Sequence, residues 1–265
     1  GGVMGEDVAN IMGLFREEFT IQIMDESSKI NVNDCTRGRC TEVLEKLMAL
    51  FSCPAEKSFL ENKKIRPSEL AYRIKDFIHE SNKTSSESGF NDKNDPYSEL
   101  TYPYKTKGLP FDTVDELKLV KGWDDEVHMV FSPYITVYPF NNVTKNEKSR
   151  VNINTAPKEL LSCLIPEARS DSTAKDFALK MNEIKKKNKP VTSGNIEETL
   201  RDLFSYSGQS NQGVLSSNPV EWFDNKSNVF RIIVKARTGN QERSLETVIR
   251  RVMPRESNKK RNRLK

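Results

Sequence analysis

The spacing of apolar positions changes several times along the chain, and each change marks a predicted element. Val8, Ile11, Met12, Phe15 and Phe19 recur at helical spacing and predict an amphipathic helix over residues 6–19. Ile21 and Ile23 then alternate, Asp25-Glu26-Ser27-Ser28 offers turn chemistry, and Ile30 and Val32 alternate again, which predicts a β-hairpin. Helical spacing returns at Val43, Leu44, Leu47, Met48 and Phe51, and once more at Leu70, Ile74, Phe77 and Ile78 beyond Pro67.

Residues 80–110 break this rhythm with Ser, Asn, Asp, Lys and Gly, punctuated by Pro96, Pro103 and Pro110. A loop this long inside a compact domain has a job or a tether, such as a bound ion. Asp112 to Leu117 then reads as a capped helix start with an acidic first turn. Val127, Val130 and Phe131 predict a short helix, and Ile135 to Tyr138 and Val151 to Ile153 predict short extended pieces. Thr155 opens a helix through Leu160, Leu161 and Leu164, stopped by Pro166. Ala174, Phe177, Ala178, Met181 and Ile184 share one face of a longer helix, and Asn195 with Glu198 forms a capping box for a further one. After a polar loop over 205–221, Phe230, Ile232, Val234 and Ala236 alternate, Thr238-Gly239-Asn240 turns, and Leu245, Thr247 and Ile249 alternate back.

Two strands alone seldom bury enough apolar surface to be stable. The economical arrangement joins the first helix and both hairpins into one antiparallel sheet packed on that helix, with the helical middle inserted. The expected class is α+β, with residues 1–34 and 206–254 forming a discontinuous domain and 35–205 forming an inserted, mostly α-helical one.

Composition narrows the function. Of 265 residues, 35% are hydrophobic and 30% charged, which describes a globular chain with extensive surface. No run approaches the roughly 18 apolar residues of a membrane span. The net charge of +4 is misleading, because residues 255–265 carry six Lys or Arg and one Glu, leaving −1 for the preceding 254 residues. Residues 255–265 read as a basic, solvated and disordered tail rather than a nucleic-acid-binding face. Recognisable nucleophile elbows, zinc-protease motifs, Walker loops and dinucleotide fingerprints are absent, and His79 and His128 lack a catalytic setting, so no enzyme is expected.

Three local signals remain. Val151 to Leu161 resembles the entry to a helix–hairpin–helix motif, whose phosphate grip needs hairpin glycines. Ile165-Pro166-Glu167-Ala168-Arg169 stands there instead, so it reads as a packing unit. A DNA-uptake protein built on that motif is the alternative function. The acidic-polar loop offers Glu80, Asn82, Glu87, Asn91, Asp92, Asn94, Asp95 and Glu99, oxygen donors of the kind calcium takes, without EF-hand spacing; a solvated loop fits the same composition. Of four cysteines (Cys35, Cys40, Cys53 and Cys163), the first two bracket a turn-like segment short enough for a local disulfide in an oxidising compartment, or for two plain thiols in cytosol.

Together these residues carry a family resemblance. Ile23 to Asn33 (IMDESSKINVN) is similar to the D-E-S-G-K-I-N-L-N segment of the minor pseudopilin K family of bacterial type II secretion, also called general secretion pathway protein K. Tyr102-Pro103-Tyr104, Asp112 to Gly122 (DTVDELKLVKG), Pro133 to Val137 (PYITV) and Val151 to Ala156 (VNINTA) follow in family order. The resemblance implies a pilin-like fold, an N-terminal helix on an antiparallel sheet with a large helical insertion. It implies a structural subunit at the tip of a periplasmic pseudopilus, grouped with minor pseudopilins I and J, that initiates assembly and supports protein export, meeting secreted substrates and the secretin. Nucleic acid is not an expected partner. It also implies a hydrophobic segment ahead of residue 1 that anchors the protein in the inner membrane, its folded part on the periplasmic face.

Further implications concern residues. Val8, Ile11, Met12, Phe15 and Phe19 would be shared between the protein's own sheet and partner helices. Family members bind calcium in a loop patterned D-W-I-D-x-D and then G-A-E-D-x-Y-Y. Here His79 and Ser81 replace two carboxylates and Asn94 replaces a glutamate, so the implied calcium ligands are Glu80, Asp92, Asn94 and Asp95. A periplasmic setting favours a Cys35–Cys40 disulfide.

Overall fold

The computed structural model describes residues 17–37, 40–81, 83–139, 150–164, 190–192, 198–199, 222–238 and 241–251. The chain divides into one unit of Gly1–Met24 with Asn228–Lys265 and a second of Asp25–Ser227. The boundaries fall ten residues earlier at the front than the sequence reading placed them, and later at the back. The class is α+β.

In the unit 25–227, helix α1 (Cys40–Phe51) buries Val43, Leu47 and Phe51 of the stripe that its spacing predicts and adds Leu50, while Leu44 and Met48 of that stripe are half-buried. It packs on α3 (Pro67–Ile78), whose buried face is Leu70, Ala71, Ile74, Phe77 and Ile78, and on α6 (Lys158–Leu164), which buries Leu160, Leu161 and Leu164. Between α1 and α3 lies α2 (Pro54–Asn62), opened by Pro54 at a first-turn position whose missing N–H costs nothing. The spacing rules overlook α2 because Leu60 is its one buried apolar residue. The short helices α4 (Asp95–Ser98) and α5 (Asp125–Phe131) follow. Phe51 meets Phe131 edge-on at 4.9 Å, and Phe77 lies between Tyr97 and Phe111 at 5.5 and 5.8 Å. The helix expected from Asp112 is a 3-10 helix, Val114–Leu119, held by a capping box of Thr113 and Glu116. It is capped by Val120, and the turn that follows passes through Gly122, whose φ of +92° favours glycine.

Strand β1 (Glu17–Asp25) runs into the 3-10 turn Glu26–Ser28, and β2 (Ile30–Asn31) follows. The expected first hairpin does not form. β2 pairs in parallel with β3 (Ile135–Thr136), not with β1. The physical reason is a difference in environment: Ile30 and Val32 are buried, whereas Ile21 and Ile23 are exposed, so the two runs do not share a face. A second parallel pair joins β4 (Val151–Asn152) to β5 (Phe223–Asp224).

Among its described residues, the other unit holds a three-stranded sheet in the order β1–β6–β7. Strands β6 (Val229–Thr238) and β7 (Gln241–Arg250) form the predicted C-terminal hairpin, antiparallel from Val229↔Arg250 to Thr238↔Gln241. The helix expected over 6–19 is corrected at its end: residues 17–19 are strand, because Phe19, Ile21 and Ile23 set a period of two through a β-branched run. Its remainder, with Val8, Ile11, Met12 and Phe15, lies outside the described residues, as do the helix on Ala174 to Ile184, most of the segment capped by Asn195, and residues 255–265. No helix among the described residues is long and apolar enough to cross a membrane.

Candidate functional site

The family motifs bear side chains that tie distant segments of the unit 25–227 together. Asp25 Oδ1 accepts from the Ser27 backbone N–H at 2.9 Å, and its Oδ2 accepts from the hydroxyls of Thr155 and Ser227. Glu26 is fully buried; its carboxylate accepts from Lys29 Nζ at 3.1 Å and from the Thr136 hydroxyl. Asn33 Nδ2 donates to the carbonyls of Phe111 and Val137 at 2.8 and 2.9 Å, and Asn33 Oδ1 accepts the Phe111 N–H at 2.8 Å.

This arrangement occurs twice. Ile30-Asn31-Val32-Asn33 and Val151-Asn152-Ile153-Asn154 each begin with a two-residue parallel strand. In each, the first Asn accepts from the N–H of the second at 3.0 Å. Each second Asn uses its amide as a strand substitute: Asn33 takes both main-chain groups of Phe111, and Asn154 takes both of Val191 at 2.8 and 2.9 Å. An amide satisfied on both sides, buried at Asn33 and half-buried at Asn154, is a specific fastener, since its removal strands the main-chain groups it served. The copies differ at one atom. Asn152 Nδ2 donates to the Ser227 hydroxyl, whereas Asn31 Nδ2 is buried without a hydrogen-bond partner among the described residues.

The loop over residues 79–107 holds the predicted metal ligands. Glu80 is exposed, and the other three are bonded within the loop. Asp92 Oδ1 accepts the Asn94 N–H at 2.7 Å, and Asp95 Oδ2 accepts the Asp92 N–H at 3.1 Å. Asn94 Oδ1 accepts from Thr106 N and Oγ1 at 2.9 and 3.0 Å. Among the described residues, the sole set of three Asp, Glu, His or Cys ligand atoms within 4.8 Å of one another is Cys53, Glu56 and Cys163. The carboxylates of Glu80, Asp92 and Asp95 therefore do not converge. Nearby, Asp76 is buried and accepts both Ser85 N and Ser85 Oγ, at 2.9 and 2.7 Å. Tyr97 stacks on Tyr104 at 5.1 Å and accepts the Lys121 N–H; its burial pushes the phenol pKa up to about 12.

The structure joins Cys35 to Cys40, with Cα atoms 3.7 Å apart, and Cys53 to Cys163, with Cα atoms 5.3 Å apart across 110 positions. Cys53 stands before α2 and Cys163 within α6, so this second bond staples two helices that the sequence separates widely. Four cysteines allow three pairings, and spacing alone cannot choose a bond of that reach. Glu56 lies beside it, and burial raises its carboxyl pKa. Two sulfurs bonded to each other are no thiolate ligands, so this set is not a zinc site.

Among the predicted interface residues, Phe19 lies on β1 and is 71% exposed. Sequence reading missed its companions: Ile21 and Ile23 on the same strand are 54% and 65% exposed, and Leu245 and Ile249 on β7 are also open. Their alternation was legible as strand, but it does not tell which face stays uncovered.

Comparison with known proteins bears on this arrangement. Residues 28–140 match the family model described as type II secretion system (T2SS), protein K. No curated protein matches the chain. Among solved structures, the chain is similar to one in the GspK-GspI-GspJ complex of the type 2 secretion system from enterotoxigenic Escherichia coli. The TM-score is 0.60 at 13% identity, over 90% of this chain and 76% of that one, a likeness of fold. The match in sequence covers Ser28–Asn33 and the Asp112–Gly122 and Pro133–Val137 motifs, the stretch that Asn33 ties together through Phe111 and Val137, and over it the chain is similar to type II secretion system protein K.

Proposed function

We propose that this chain is a minor subunit of a type II secretion pseudopilus, placed at its tip and assembling with minor pseudopilins I and J. The observation that carries the reading is the protein K match over residues 28–140. The family is a secretion-system component, and the side chains that its motifs supply are used here as fasteners, so the role is structural rather than enzymatic. The fold likeness to a chain of the GspK-GspI-GspJ complex gives the partners. A steric argument supports the terminal position: a subunit carrying an extra unit of residues 25–227 is too bulky to be followed by another in a regular stack.

In this reading the sheet β1–β6–β7, with the segment containing Val8, Ile11, Met12 and Phe15, is the pilin-like part. Its open residues Phe19, Ile21 and Ile23 contribute to the surface that meets partners on the periplasmic side of the inner membrane. The chain would start pseudopilus assembly and so support export across the outer membrane. The test is size-exclusion chromatography with light scattering, on the chain alone and mixed with the soluble domains of its organism's minor pseudopilins I and J. A stable ternary peak is expected. Separate elution of all three at micromolar concentrations would sink the reading.

A further inference from the structure

The resemblance places a calcium loop after α3, and the residues present do not fit one. Calcium takes six to eight oxygens gathered from a flexible loop. Here Asp92, Asn94 and Asp95 spend oxygens on main-chain N–H groups and on Thr106, both Asp76 oxygens are engaged by Ser85, and the free carboxylates do not converge.

A cation is nevertheless present. Lys93 is 5% exposed, a burial that lysine rarely tolerates unless its ammonium is compensated. Its Nζ donates to the carbonyl of His79 at 2.9 Å and to that of Ser81 at 2.8 Å. Two main-chain carbonyls from positions i and i+2, turned toward one positive centre, are the kind of donor a loop offers a hard cation. The anchoring is two-ended, because the Lys93 N–H also bonds Thr84 Oγ1 at 2.9 Å. Asp76 and Asp92 supply opposite charge nearby. A divalent ion brought to the same carbonyls would have to expel the ammonium or share a low-dielectric site with it, and like charges at such a range repel strongly.

We propose that the Lys93 ammonium is the resident cation of this loop: it holds the His79 and Ser81 carbonyls in place of a divalent ion and makes the fold of residues 76–107 independent of calcium. The inference rests on the loop's own geometry and stands or falls separately from the assembly role.

The test is thermal unfolding of the whole chain in EDTA and in about 10 mM calcium, roughly ten times the dissociation constant of the weakest extracellular calcium modules. The wild type is expected to show the same Tm in both, within about 1 °C. A site filled at that concentration would raise Tm by a few degrees, and that result would overturn the proposal. Lys93→Met is expected to lower Tm by several degrees and to speed proteolysis within residues 79–95. A variant that matches the wild type in both would overturn the clamp. Calcium that stabilises Lys93→Met while leaving the wild type unmoved is the strongest supporting outcome. Should Lys93→Met fail to fold, NMR of 15N-lysine-labelled wild type decides. A slowly exchanging ammonium signal, lost in a folded Lys93→Arg variant, supports the clamp, and ammonium protons that all exchange freely overturn it.

Discussion

Among the described residues of 25–227, most apolar residues that recur at helical spacing are covered. Val43, Leu47, Leu50, Leu70, Ile74, Phe77, Leu160 and Leu161 are all buried, and polar motif residues are buried with them and bonded. In the sheet β1–β6–β7 the alternation is equally regular, yet Phe19, Ile21, Ile23 and Leu245 remain more than half exposed. The first region buries most of its helical stripes within itself, leaving single residues such as Met129 and Leu109 open, and adds disulfides and amide fasteners. The second displays apolar surface over three strands, near the minimum at which a sheet is stable alone. The difference teaches that a regular pattern reports secondary structure, while burial reports whether the covering partner lies within the same unit.

The strongest blow to the self-sufficiency of the larger unit falls on its long-range staple. Cys53→Ser with Cys163→Ser removes a bond closing a loop of 110 positions and should cost about 4 kcal/mol through the chain entropy returned to the unfolded state. The urea midpoint of the double variant measures it. A loss below about 1 kcal/mol would mean that the helices hold together without the bond.

Next are the two asparagine fasteners, which test whether the repeated motif is structural. Asn33→Ala strands the main-chain groups of Phe111 and the carbonyl of Val137, and should cost about 3 kcal/mol; Asn154→Ala should cost a comparable amount by stranding Val191. Equilibrium unfolding that finds either change neutral would show that water takes over the bonds.

Much of this was legible in the sequence, and the exceptions share a cause. Helices α1, α3, α5 and α6 were readable because each presents an apolar stripe, and the C-terminal hairpin because its alternation brackets a turn. Helix α2 was not, since Leu60 alone is buried there. The partners of β2 and β4 were not, because a two-residue parallel pair carries no local signal and its mate is 105 or 72 positions away. In the loop after α3, the sequence displays which oxygens exist but not which N–H groups claim them, so Asp92 and Asn94 read as ligands. Nothing in the sequence marks Lys93, whose role comes from two carbonyls brought to it by the fold. What a pattern encodes locally was recovered; what depends on distant neighbours was not.

A smaller effect comes from pH, and it too distinguishes the regions, because both histidines lie in the larger unit. Burial, and after it the nearby Lys118 charge, lower the His128 pKa, while Asp115 and Asp125 oppose. Its Nδ1 accepts the Trp123 indole N–H at 3.2 Å, a bond that needs the neutral ring. The unfolded chain therefore binds a proton more readily than the folded one. Stability is complete above the ordinary histidine value of about 6.5 and falls as pH drops through it toward the depressed folded value, where it levels off. Tm measured between about pH 8 and pH 5 should show this step, and His128→Gln should flatten it. An identical profile in the variant would assign the step to carboxylates instead.

The smallest expected change in stability is at the sheet, and it is the one that separates display from burial. Ile21→Thr and Ile23→Thr keep β-branched side chains on β1, and these positions are already more than half exposed, so each should shift stability by no more than about 0.5 kcal/mol. The matching change on the covered side, Leu47→Ala in α1, should cost about 3 kcal/mol by opening a cavity. If the open face exists to meet other subunits, the pair at 21 and 23 should weaken co-elution with minor pseudopilins I and J while leaving Tm in place. Leu47→Ala should do the reverse at temperatures where it stays folded. A sheet pair that lowers Tm as far as Leu47→Ala does would mean that β1 is covered by its own chain in solution, and the contrast between the two regions would then lie in pairing rather than in partnership.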